Sequence, residues 1–114
     1  MRAALAAAGL AALLATAPVL AEVSVTDGLG RAVRLAAPAK RILTLAPSIT
    51  EAAFAVGSGG RVVGASAFSD YPPEAGRLPV VSSSAGIDLE AVARLAPDLV
   101  IAWRGSFRVE SIPR

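Results

Sequence analysis

A chain of 114 residues with a formal charge of +2 has room for one small domain with a modest core. Its acids and bases are interspersed rather than blocked, so no nucleic-acid footprint is read from them. With no His and no Cys, disulfides, thiolate metal sites, a Cys nucleophile and the Ser/His/Asp constellation are absent, and conventional hydrolase chemistry is disfavoured.

The chain opens on Met1-Arg2, an Ala/Leu-rich run to Ala17, Pro18 and then Val19-Leu20-Ala21. A positive start, an apolar middle and small residues before a cleavage point read as a secretory signal peptide over 1–21, leaving Glu22 at the mature N-terminus. The competing reading is an uncleaved anchor, which needs roughly 20 apolar residues. Gly9, Pro18 and the preponderance of Ala over Leu make a poor span. No Cys follows the small residues, so no lipid anchor is expected.

Residues 22–40 form the next unit. Loose alternation from Val23 to Leu35 around Thr26-Asp27-Gly28-Leu29-Gly30 predicts a hairpin at a sheet edge. Arg41 to Ala46 is an apolar strand ended by Pro47, and Ser48-Ile49-Thr50-Glu51 has the form of a capping box, with the Ser48 hydroxyl accepting from the Glu51 N–H. A helix over about Ile49 to Val56 follows and stops at Gly57-Ser58-Gly59-Gly60, before a strand from Val62 to Ala65. Ser66 to Pro79 reads as a long loop with one helical turn after Pro73. Asp88 caps a second helix, Leu89 to Leu95, with Leu89, Val92, Ala93 and Ala96 as its buried face. Pro97 ends it, and Leu99 to Ala102 is an apolar strand suited to the inside of a parallel sheet. Strand, helix, strand, helix, strand gives an α/β layer.

Gly57 to Gly60 follows a helix and precedes a strand, the reverse of a phosphate loop, and is a turn. The Ala46-Pro47-Ser48 junction has the strand-to-helix order that faces a ligand outside the carboxyl end of a sheet, although capping explains Ser48 equally well. Topology sets Tyr71 and Trp103 at the same rim. Two aromatics there suit a large, flat, partly apolar ligand, or else they pack into the lobe's own core; spacing does not choose between the two. Asp88 and Glu90, in a helix's first turn, oppose its macrodipole by default, which leaves no catalytic residue assigned.

Four segments in order, Arg41 to Glu51, Ser69-Asp70-Tyr71-Pro72-Pro73-Glu74-Ala75, Asp88-Leu89-Glu90 and Pro97 to Gly105, resemble the first lobe of the periplasmic binding proteins of ABC importers for cobalamin, haem and iron siderophores, the cobalamin branch above all. The resemblance implies a three-layer, Rossmann-like α/β lobe over 41–105 with a mostly parallel sheet, the first half of a two-lobe protein. It implies capture of a cobalamin-type ligand, or an iron chelate, in the periplasm and delivery to an inner-membrane permease, by a monomer with no resident cofactor, metal or nucleic acid. Tyr71 and Trp103 match positions that line the ligand cleft, and Ser48 joins them at the rim. Glu90 matches an acid that meets permease arginines. One departure is Ser82-Ser83-Ser84-Ala85-Gly86, where the cobalamin branch carries an aromatic. The tail at 106–114 lacks the look of the helix expected there, so a truncated or divergent end is expected. A nonbinding lobe that acts at most in permease docking is the reading from another class.

Overall fold

The computed structural model of the chain describes residues 21–106. The leader read over 1–21 and the tail read over 106–114 lie outside it, save residues 21 and 106. Strands β1 (Val23–Thr26) and β2 (Ala32–Leu35) pair antiparallel, joined by a turn in which Asp27 Oδ1 accepts from the N–H groups of Leu29 and Arg31. Contrary to the edge-hairpin expectation, they form a separate two-stranded sheet. The hairpin reaches the core through Leu35, which packs against the cluster of Ala39, Ile42, Ala53 and Val62.

The main sheet has five strands: β3 (Ile42–Thr44), β4 (Val62–Ser66), β5 (Val80–Ser83), β6 (Gly86–Ile87) and β7 (Leu99–Ile101), in the order β6-β5-β4-β3-β7. All pairings are parallel except β5 with β6. Helices α1 (Pro47–Ala55) and α2 (Leu89–Leu95) connect it. Because successive strand residues point to opposite faces, Ile42, Val62 and Leu99 meet α1 through Ala53 and Phe54, whereas Leu43, Val81 and Val100 meet α2 through Ala91, Val92 and Leu95. Helix, sheet and helix are the three layers of the expected α/β lobe.

Local signals explain most boundaries. Asp88 Oδ1 accepts from the Ala91 N–H at 3.0 Å, the N-cap read from sequence. Gly57 stops α1 with φ of 84°, and a short 3₁₀ turn follows Pro72 over Pro73–Arg77, as the loop reading anticipated.

Three further expectations are corrected. Strands β5 and β6 were absent from the predicted order: Val80 and Val81 are the only apolar pair in a Ser-rich run, and pairing with β4 rather than propensity makes them a strand. The buried face of α2 is Ala91, Val92 and Leu95, while Leu89, Ala93 and Ala96 are exposed. Both stripes are apolar at helical spacing, and the one selected sets Leu95 over Gly64 of β4. The capping box is not formed, because Pro47 occupies the first helical position and starts the helix with Ala46 as N-cap.

At the opposite end of the sheet from those helix starts, Asp98 ties β3 to β7. Its two carboxylate oxygens accept from the N–H groups of Lys40 and Arg41 at 2.8 and 2.9 Å. The Arg41 guanidinium in turn donates to the Leu95 carbonyl at the end of α2 at 2.8 Å. The Lys40 and Arg41 N–H groups hold the Asp98 carboxyl below its ordinary value. A depressed folded value contributes stability that is present above the unfolded carboxyl pKa, about 4, and is lost as pH falls through the folded value. Asp98→Asn is therefore expected to melt lower than wild type at pH 7, with the gap closing as the pH drops toward 3 on this scale. Solvent screening of the exposed side chain keeps the difference to a few degrees. Melting curves of both proteins across that range, followed by circular dichroism, check this; a gap that widens in acid contradicts it.

Candidate ligand-binding site

The strand order places the earliest core strand, β3, between β4 and β7. The chain moves outward from β3 to β4 and β5, then returns through α2 to add β7 on the other side of β3. Segments leaving the carboxyl ends of β3 and β7 diverge there, and that divergence is where open α/β sheets take their ligands. The segment after β3 carries Ser48 and the segment after β7 carries Trp103.

The two residues meet. The Trp103 indole N–H donates to Ser48 Oγ at 3.0 Å, bridging the two segments across the switch point. Ser48 is free to accept because Pro47 has moved the helix start and relieved the hydroxyl of the capping duty read from sequence. Trp103 is nevertheless 58% exposed, so its ring presents a face to solvent at the rim with its N–H already satisfied. Tyr71, in the loop after β4, is 67% exposed. Neither aromatic packs into the lobe's core, which removes that alternative.

The loop that carries Tyr71 is held by a buried chain of hydroxyls. Thr44 Oγ1 lies 2.7 Å from Thr50 Oγ1, Thr50 donates to Ser69 Oγ at 3.0 Å, and Ser69 Oγ lies 3.0 Å from Ser66 Oγ. Thr44 and Thr50 are fully buried and Ser66 and Ser69 nearly so. Buried hydroxyls need such partners, and here the partners come from β3, α1, the end of β4 and the Tyr71 loop. The chain thus fixes the start of the loop to the same β3–α1 junction that holds Ser48. Sequence reasoning missed these residues; the available signal was Thr44 and Ser66, hydroxyls at the ends of two otherwise apolar strands.

Glu90 is carried by a different element, α2. It lies in the first turn of α2 with its side chain 83% exposed, and its contact is a long 3.5 Å ion pair with Arg94. Such a pair at a fully solvated surface contributes little, so the carboxylate is available to another partner.

The rim therefore offers two aromatic faces and a hydroxyl, without a buried charge among them, at the switch point of a doubly wound sheet. Residues 42–111, more than half of the chain, match the family described as periplasmic binding protein. The chain belongs to that family. Among curated members it is 50% identical over 65 residues to the vitamin B12-binding protein of Photorhabdus laumondii and 51% identical over 65 residues to that of Pectobacterium carotovorum. Each alignment covers 57% of this chain and 24% of the relative. Among solved structures, the periplasmic vitamin B12 binding protein BtuF of Vibrio cholerae superposes with a TM-score of 0.60 at 44% identity, covering 64% of this chain and 29% of that one. A periplasmic haem binding protein from Pseudomonas aeruginosa superposes with a TM-score of 0.53 at 28% identity, covering 56% of this chain and 23% of that one. The chain thus spans about a quarter of the length of the family members it matches. It corresponds to part of a two-lobe periplasmic binding protein.

Proposed function

We propose that this chain is the first lobe of a substrate-binding protein that captures cobalamin in the periplasm and hands it to the permease of an ABC importer. The observation that carries the reading is the Trp103–Ser48 hydrogen bond at the switch point, which fixes an exposed indole face on the sheet edge whose β4 loop carries Tyr71. Rigid aromatic faces give a broad, partly apolar ring contact area at small entropic cost. The identity to vitamin B12-binding proteins favours cobalamin as the ligand. Haem is the second reading, favoured by the haem-binding structures that share the fold and by Tyr71, a phenol suited to iron.

Nothing in this function asks for covalent chemistry. Capture rests on surface complementarity, and delivery rests on Glu90, whose unencumbered carboxylate suits arginines on a permease. Export through a cleaved leader and a monomeric state complete the proposal. One lobe offers half a cleft, and small-ligand sites bury most of their ligand. The expected Kd of the 114-residue chain for cyanocobalamin is accordingly weaker than about 1 µM.

A single experiment separates the parts. The chain contains one Trp, so intrinsic fluorescence reads Trp103 directly during titration with cyanocobalamin or haemin. Binding of cyanocobalamin in preference to haemin supports the first reading, and the reverse preference supports the second. Binding of neither leaves the nonbinding docking lobe. In parallel, Glu90→Ala should lower retention on the permease in nanodiscs while leaving the titration unchanged. Equal loss of both would make Glu90 a structural residue.

A further inference from the structure

Acids and bases that are interspersed along the chain are sorted to opposite ends of the main sheet by the fold. Arg41, Arg61 and Asp98 each stand one residue before a strand, and the register sets them level, because Ile42 pairs with both Val62 and Leu99. Lys40 precedes Arg41, and Arg77 leads toward β5 on the far side of β4, its neighbour Leu78 packed on the cluster that holds Ile42 and Val62. Lys40, Arg41, Arg61 and Arg77 are all exposed. Asp98 stands among them, but its carboxylate oxygens accept from the Lys40 and Arg41 N–H groups. Among the described residues, Lys40, Arg61 and Arg77 join no ion pair. Toward the carboxyl ends of the strands the signs reverse: Asp70 follows β4, and Asp88 and Glu90 follow β6, against Arg104 after β7.

Neighbouring strands lie about 4.8 Å apart, so bases leading into β3, β4 and β5 form a row about 10 Å long, within which their fields add with little screening. The same end of the lobe carries exposed apolar surface. Helix α1 returns there, and Val56 at its end is 77% exposed. Gly57 and Gly60, between Val56 and Arg61, bear no side chain that would hold this edge away from a flat surface. An exposed aliphatic group among arginines discriminates between polyanions. A nucleic acid rewards the bases through its phosphates and gives nothing for the valine. A bilayer with anionic headgroups rewards both, the bases by electrostatics and the valine by burial at headgroup level.

We propose that the amino edge of the sheet, with Lys40, Arg41, Arg61, Arg77 and Val56, docks the lobe on a bilayer surface of anionic phospholipid. This goes beyond ligand capture and requires no ligand. The formal charge of +2 gives the whole chain little attraction to such a surface, so the attraction depends on which end approaches. With the basic edge on the lipid, the acids and the rim of Ser48 and Trp103 at the other end of the sheet lie away from it. The lobe is thereby held at the membrane with its rim open.

Flotation of the full chain with vesicles of phosphatidylcholine alone, and of phosphatidylcholine containing about 30% phosphatidylglycerol, tests the proposal at low and high salt. All proteins compared carry the same residues 1–21, so only differences between vesicles and between variants are read. Wild type is expected to partition at least about tenfold better onto the anionic vesicles, and to lose that advantage at about 0.5 M salt. Arg61→Gln should weaken this binding about fivefold and Arg61→Gln/Arg77→Gln about thirtyfold. Arg104→Gln makes the same change in net charge at the other end of the sheet and should stay within about twofold of wild type. Val56→Ser should weaken vesicle binding about threefold and leave any binding to duplex DNA unchanged. Equal partition onto neutral and anionic vesicles would overturn the proposal. So would equal losses from Arg61→Gln and Arg104→Gln, which would reduce the effect to net charge. Tighter binding to duplex DNA than to anionic vesicles would make the edge a site for another polyanion, and the lipid proposal would fall. Should the double variant fail to melt cooperatively, the wild-type comparison of vesicles and salt, with Arg77→Gln alone, decides the matter.

Discussion

Trp103→Ala is expected to lower the affinity of the chain for cyanocobalamin about thirtyfold, the loss typical of a central Trp contact. Its melting temperature should hardly change. The indole is mostly outside the core and its one hydrogen bond, to Ser48, is at an exposed position, where a net contribution of about 1 kcal/mol is an upper expectation. Removing the only Trp removes the fluorescence signal, so equilibrium dialysis read by the colour of the cobalamin is the appropriate measurement. Trp103→Phe separates two parts of the effect. It keeps a flat face but has no N–H for Ser48, so the ring is no longer oriented across the switch point, and an affinity between wild type and Trp103→Ala is expected. A Trp103→Ala protein that melts early and still binds would show instead that the indole serves the lobe rather than the ligand.

The largest stability effect is expected at Gly64. A Cβ on this residue would come within 2.8 Å of Leu43 Cδ2, 2.9 Å of Leu95 Cδ1 and 2.9 Å of Val81 Cγ1. Those atoms come from β3, α2 and β5, so the crowding arises on three sides, and Leu43 and Val81 are completely buried. Glycine in a strand interior is otherwise unfavourable; it is required here by the close approach of α2 to the sheet. Overpacking of this kind costs about 1–3 kcal/mol. In a domain this small, 2 kcal/mol corresponds to roughly 10 °C in melting temperature. Gly64→Ala is expected to melt about 10 °C below wild type, and Gly64→Val, with two further methyl groups, should fail to give a cooperative transition. Gly28→Ala provides the comparison, since a Cβ there has nothing within 4 Å. A Gly64→Ala protein that melts with Gly28→Ala would mean that α2 sits farther from the sheet than described.

Both effects arise from packing across elements, and they divide what could be read along the chain from what could not. Asp88 as an N-cap, the helix stop at Gly57, the 3₁₀ turn after Pro72 and the β1–β2 hairpin all depend on backbone groups within a few residues, so sequence alone carried them. The apolar runs of β3, β4 and β7 were equally legible, and with them the α/β class, because strands buried on both faces read as continuous apolar segments. From that order the rim shared by Ser48, Tyr71 and Trp103 followed by topology.

The sequence by itself therefore determined the local starts and stops, the layer class and the edge of the sheet that carries Ser48 and Trp103. Tertiary structure decided the rest. The run Ser48 to Glu51 reads as a capping box along the chain, but the helix starts at Pro47, and Trp103, 55 residues away, becomes the donor to the Ser48 hydroxyl. The stripe of α2 that faces inward depended on the gap over Gly64, and β5 depended on the free edge of β4. Thr50 and Ser69 had no role of their own along the chain, and four segments bring their hydroxyls together out of water. In each case the local pattern along the chain is compatible with more than one arrangement, and a contact between residues distant in sequence selects the one observed.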